Sequence, residues 1–190
     1  MRFNPDIHRR QSIRLCDFDY GSAGAYFVTV VTRERECLFG DVAGGVMVLN
    51  DAGRIVETWW NELPVAFPNV VTDAFVVMPN HMHGIVVITD VGAGIPRPMP
   101  AFPRPDRRHH AVPIGGAENA PLRRVLGDVV RFVKYESTFD INISRNTPGI
   151  PVWQRNYWER VVRNESELNR IRQYIIDNPV NWATDEERPR

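Results

Sequence analysis

The sequence predicts an α+β domain in which helices pack on an antiparallel sheet. Short runs of aromatic and β-branched residues, of strand length, alternate with segments whose apolar residues recur at helical spacing. Their order is strand, helix, strand, strand, helix, strand, helix, with no glycine-rich loop between a strand and a helix, so a doubly wound parallel sheet is not expected. At 190 residues and 43% hydrophobic content the chain is long enough to bury one substantial core, and a single domain over residues 1–190 is expected.

Ala25-Tyr26-Phe27-Val28-Thr29-Val30-Val31-Thr32 is dense in strand formers and reads as a central strand. After a Gly-rich turn and a short apolar piece, Asn50 or Asp51 can cap a helix in which Ile55, Trp59 and Leu63 recur, and Pro64 and Pro68 end it. Val70 to Met78 and Met82 to Thr89 are strand candidates joined through Pro79-Asn80, where proline breaks regular pairing. From 91 to 121 Pro, Gly, Arg and Ala follow one another without an apolar period, which predicts a flexible insertion outside the fold. Leu122 to Phe139 carries the stripe Leu122, Val125, Leu126, Val129, Val130 and Val133 and reads as a core helix. Tyr157 to Arg163 reads as a short strand. Asn164, with Glu167 three residues on, has the pattern of a capped helix beginning near Glu165, buried along Leu168, Ile171 and Ile175 and stopped by Pro179.

Twenty-three basic and 23 acidic residues cancel, so no global charge marks the chain as a nucleic-acid binder. Basic residues are nevertheless clustered in the N-terminal arm with Arg10 and Arg14, in 97–108, and along Arg155, Arg160, Arg163, Arg170 and Arg172, where they can track phosphates or form ordinary surface pairs. Two cysteines, Cys16 and Cys37, are too few for a disulfide framework. Without an apolar leader in the first 14 residues or any long apolar run, a soluble, cytoplasmic protein with no membrane partner is expected.

The chemistry concentrates in two places. His81 and His83 stand at i and i+2 of a strand, on one face, and can converge on a divalent cation or merely decorate a strand end. Two ligands leave a site incomplete. Tyr174 and Asn178 lie one turn apart on the last helix and project from one side; Asn178 can cap the helix, stay solvated or complete a metal shell, and Tyr174 can simply edge the core. A ligand pair open to substrate makes few packing contacts, so replacing either histidine by alanine is expected to leave the fold largely intact.

Met78-Pro79-Asn80-His81-Met82-His83-Gly84, Val152-Trp153-Gln154-Arg155-Asn156-Tyr157-Trp158-Glu159 and Tyr174-Ile175-Ile176-Asp177-Asn178-Pro179, in this order, resemble the three signature blocks of single-tyrosine HUH transposases. The REP-associated tyrosine transposases are the most similar branch, and Arg10-Gln11-Ser12-Ile13-Arg14-Leu15 and Gly24-Ala25-Tyr26-Phe27-Val28-Thr29 resemble it too. The resemblance covers nearly the whole chain except the insertion. It implies a ferredoxin-like or RRM-like α+β fold, His81 and His83 as metal ligands, Tyr174 as nucleophile and Asn178 as the amide that helps bind metal, a position where the family often has Gln.

The implied partner is single-stranded or hairpin DNA, and the implied cofactor is Mg2+ or Mn2+. A divalent metal neutralises charge on the phosphodiester, while Tyr174 attacks to form a 5′-phosphotyrosine and release a 3′-hydroxyl that can later reverse the step. Arg155, Arg10 and Arg14 are expected at phosphates, and Trp153 and Trp158 are candidates either for stacking under bases or for core or edge packing in a strand-rich region. A homodimer is left open. The rival readings are a metal-dependent phosphoesterase, which needs no tyrosine nucleophile, and a non-catalytic RRM-like nucleic-acid-binding module, which needs no metal. The sequence lacks a G-x-S-x-G elbow and an H-E-x-x-H motif.

Overall fold

A computed structural model describes residues 23–89 and 126–189; Arg10, Arg14, Cys16, Leu122, Val125 and the 91–121 segment lie outside the described residues. The elements are β1 Gly24–Val31, β2 Gly40–Ala43, β3 Val46–Leu49, α1 Asp51–Asn61, α2 Leu63–Ala66, β4 Val70–Val77, β5 His81–Ile88, α3 Leu126–Arg145, β6 Trp158–Val162 and α4 Glu165–Asp177. The main sheet runs β4-β5-β1-β6 and every pairing in it is antiparallel. Strand, helix, strand, strand, helix, strand in this spatial order is the ferredoxin-like arrangement, with β1 and β5 central. The α+β expectation holds.

Alternation along β5 separates two cores. Met82, Val86 and Ile88 face a layer built from α1 and α3, where Val56, Trp60, Val129, Val130, Val133 and Ile141 are buried. Ile85 faces α4, against Ile171 and Ile175. His81 and His83 share the α4 side with Ile85, because side chains two apart on a strand point the same way. Gly84 sits between them on the opposite face, where a Cβ would lie 2.3 Å from the ring of Trp60. Gly84→Ala is therefore expected to cost about 1–3 kcal/mol by overpacking, read as a lower urea midpoint at unchanged slope; an unchanged midpoint would show that the indole can move aside.

The helix caps follow the sequence. Asn50 accepts from the Gly53 amide at 3.1 Å, and Asn164 accepts from the Glu167 amide at 2.8 Å. Glu167 returns the contact by accepting from the Arg163 amide, one residue before the cap, at 2.9 Å. Three elements differ from expectation. The fully buried line of α1 and its continuation is Ala52, Val56, Trp60 and Leu63, one position round from Ile55 and Trp59, because Trp59 reaches sideways to donate to Asp140 at 2.8 Å. Within the Gly-rich turn, Gly44 and Gly45 at φ 59° and 78° close the β2-β3 hairpin, a turn that only residues tolerant of positive φ make easily. The third is α3, which runs six residues past Phe139, to Arg145.

Two arginines of the expected phosphate track are tied into the fold. Arg172 grips Asp73 through two bonds of 2.9 and 2.6 Å, which lowers that carboxyl's pKa and joins α4 to β4. Arg160 pairs with Glu167 at 2.6 Å. Among the described residues, Cys37 is free and no helix is long and apolar enough to cross a membrane.

Candidate metal and tyrosine site

The site grows out of the N-terminal end of β5. His81 pairs with Val31 and His83 with Thr29 of β1, so neighbouring strands hold both imidazoles in register. His83 Nδ1 lies 2.7 Å from Thr29 Oγ1, and its ring stacks on Phe27 with centroids 5.2 Å apart. His81 Nδ1 lies 2.8 Å from Asn80 Oδ1. Asn80 spends its amide protons on the carbonyls of Arg35 and Glu187, at 3.1 and 2.6 Å, so its oxygen is the acceptor and His81 carries the proton on Nδ1. That tautomer leaves a lone pair on His81 Nε2.

Helix α4 delivers the tyrosine. Tyr174 Oη stands 3.3 Å from His83 Nε2, and its ring meets Phe27 edge-on at 6.0 Å. A phenol donating there requires His83 also to be protonated on Nδ1, donating to Thr29 Oγ1. One turn on, Asn178 ends α4 as its cap and is buried, with its amide nitrogen donating to Asp185 Oδ2 at 3.3 Å. The chain then turns back over the strand end, and Asp185 Oδ1 accepts from the Glu187 amide at 2.7 Å. Arg35 fastens this segment by bonding the Glu186 carbonyl at 2.7 Å and pairing with Glu187 at 3.1 Å.

The outcome is a cluster of His81, His83 and Asp185 whose ligating atoms all lie within 4.8 Å of one another. The donor set fits a divalent cation of the borderline kind, two imidazole nitrogens and a carboxylate. Two buried atoms here lack a hydrogen-bond partner, His81 Nε2 in the cluster and Oδ1 of Asn178, whose amide nitrogen bonds Asp185. Buried polar atoms normally have partners, and a cation is one group that would satisfy these two. Thus His81, His83, Asn178 and Tyr174 lie together, and Asp185 joins them. Asp185 carried no periodicity or motif; only the acidic run Asp185-Glu186-Glu187 following Pro179 could have pointed to it.

Burial governs the electrostatics. It lowers the pKa of His81 to about 4, although the Asp185 carboxylate and the Asn178 side chain pull the other way. Burial, and then His81, likewise hold His83 well below its ordinary value. Both imidazoles are neutral at pH 7, the form that binds metal. Tyr174 is raised above the ordinary phenol value, first by burial and then by Asp185, so the hydroxyl is fully protonated at rest.

A pH dependence follows. An unfolded chain takes protons on both histidines below about 6.5, and the folded chain refuses them until about 4 for His81. Stability of the metal-free protein is then full above pH 6.5 and is lost as pH falls below it, by up to about 1.4 kcal/mol per pH unit for each imidazole. Urea melts in chelator at pH 7, 6 and 5 would read this; a flat profile would mean that the histidines are charged at little cost.

Two expected DNA contacts fare differently. Trp153 is 6% exposed in the α3 core, donates Nε1 to Ser137 Oγ at 3.0 Å and packs on Phe39. Of the two places open to it, core packing is the one it takes, on the side of the sheet set by the Thr32–Trp153 bridge. Arg155 is exposed on the loop before β6.

The sequence is 35% identical over 188 residues to an uncharacterized Haemophilus influenzae protein, covering 97% of this chain and 96% of that one. No protein-family model matches it. In three dimensions the chain is similar to a REP-associated tyrosine transposase solved bound to a REP hairpin, with a TM-score of 0.54 and 19% identity, over 91% of this chain and 76% of that chain. The chain belongs to one family with the Haemophilus influenzae protein and has the fold of the REP-associated tyrosine transposase.

Proposed function

We propose that this chain is a metal-dependent DNA strand transferase that cleaves single-stranded or hairpin DNA through a covalent bond to Tyr174. The observation that carries the reading is the tyrosine hydroxyl 3.3 Å from His83 Nε2, at the rim of the His81–His83–Asp185 cluster. Nucleophile and electrophile-activating ligands meet within one small volume, as covalent phosphoryl chemistry requires. The fold shared with a transposase bound to a REP hairpin supports the same reading.

A divalent cation held by His81, His83 and Asp185, with Asn178 at its side, would supply Lewis-acid neutralisation of charge on a phosphate oxygen. The protein supplies direction. Phe27 and the α4 backbone fix the tyrosine ring, and Thr29 and Asn80 fix the two imidazoles by their Nδ1 protons. As Tyr174 Oη bonds to phosphorus, its proton passes to water and the bond to the 3′ oxygen breaks. The departing 3′ oxygen takes up a proton, and the ester energy is kept in the 5′-phosphotyrosine. Attack on that link by a 3′-hydroxyl rejoins strands without a nucleotide cofactor.

Incubating the protein with labelled single-stranded hairpins in Mg2+ or Mn2+, followed by denaturing gels, tests the reading. Cleavage that leaves the protein linked to the 5′ end of the downstream fragment, with a free 3′-hydroxyl on the other, is expected; cleavage products without any adduct would replace it by a phosphoesterase. Asp185→Asn is expected to weaken Mn2+ binding by about tenfold or more, since even partners outside a metal shell are worth that much. Calorimetric titration checks it, and an unchanged affinity would leave Asn178 as the third ligand.

A further inference from the structure

The register of the sheet places a second aromatic group beside the site. Thr29 pairs with His83 on one side and with Trp158 on the other, so Trp158 of the edge strand β6 lies on the histidine face. Two strand spacings separate it from His83, about 10 Å. Unlike Trp153, it is 54% exposed.

Next to it is a pocket of about 210 Å³, lined by Val31, Gln154, Asn156, Tyr157 and Trp158. Val31 is the sheet partner of His81, so one wall of the pocket is a strand away from the cluster. Its walls are held in place. Lys134 Nζ bonds the carbonyls of Gln154, Arg155 and Asn156 at 2.5, 3.3 and 3.3 Å, and the Gln154 amide bonds the Val31 carbonyl at 2.9 Å. Gln154 Nε2 donates to the Thr32 carbonyl at 3.2 Å, which orients its side-chain oxygen as an acceptor.

None of the five lining residues carries a charge, so the pocket does not suit a phosphate. A volume of about 210 Å³ is also more than a single hydration site needs. An aromatic plate beside two carboxamides, each offering donors and an acceptor, matches the face and the edge of a nucleobase. We infer that this pocket receives an unpaired base of the DNA strand near the phosphate attacked by Tyr174, with Trp158 stacking on the base and Gln154 and Asn156 meeting its edge. The inference rests on the strand-transferase reading. Arg155, exposed on the same loop, is then placed to follow the backbone.

The test is an abasic scan of a bound hairpin with single-stranded flanks, using the full chain carrying Tyr174→Phe so that DNA is held uncut. Trp158→Ala is expected to weaken binding about 5- to 150-fold, the worth of one base stacked on an aromatic ring, and Trp158→Phe to restore most of it. One abasic position should weaken binding to the Trp158 protein by a similar factor yet cost the Trp158→Ala protein nothing more. If cleavage by the unmodified protein is intact but no abasic position couples to Trp158, the pocket assignment falls and the strand-transferase reading stands. If no DNA of the panel is bound or cut, both fall. Should Trp158→Ala melt early, the same cycle run with Asn156→Ala decides it: coupling to one position supports the pocket, and its absence overturns it.

Discussion

Tyr174→Phe is expected to abolish both cleavage and the covalent adduct while leaving the protein folded. The ring keeps its edge contact with Phe27, and only the bond from Oη to His83 Nε2 is lost, a change of at most about 1 kcal/mol. Of the described tyrosines, Tyr26 is buried in the core, and Tyr157 and Tyr135 lie toward the α3 side or on α3 itself. Mass spectrometry of the trapped adduct should therefore place the nucleotide on Tyr174. A modified peptide containing Tyr157 or Tyr20 would overturn the assignment, as would full cleavage by the phenylalanine variant.

His81→Ala with His83→Ala is expected to eliminate divalent-metal binding and cleavage together, and chelator should reproduce the loss of cleavage in the unaltered protein. The sequence-based expectation of an undisturbed fold is corrected by burial: His81 is 0% and His83 3% exposed. Removing them strands Asn80 Oδ1 and Thr29 Oγ1, each a buried group worth about 1–3 kcal/mol when left without a partner. The double variant should then unfold at lower urea than the chelated parent protein. Equal midpoints would mean that water enters the emptied site freely, and retained metal affinity would remove the histidines from the proposed ligand set.

Several features were legible because they are local. A strand lists its two faces by alternation, so His81 and His83 had to share a side. A helix lists its buried side by period, and Asn164 with Glu167 marked where α4 starts. The resemblance of the signature blocks named Tyr174 and Asn178 beside the histidines, and Tyr174 Oη lies 3.3 Å from His83 Nε2. The phase of α1 slipped by one position because Trp59 and Trp60 are equally apolar as letters, and only the partners, Asp140 for one and Gly84 for the other, separate them.

Pattern and spacing were enough to read the α+β class and most element positions, and the resemblance named the residues of β5 and α4 that lie together. The remaining features are contacts between segments far apart in the chain, which no local pattern encodes. Asp185 reaches the histidines only because Arg35 and Asn80 bind the carbonyls of Glu186 and Glu187, more than 100 residues away. Arg172 and Arg160 look like free phosphate binders until Asp73 and Glu167 are seen beside them. Trp153 and Trp158 are five residues apart with similar neighbours, yet one is core and the other exposed. The choice is made by their pairing with Thr32 and Thr29 across β1, a register that no single segment of sequence contains.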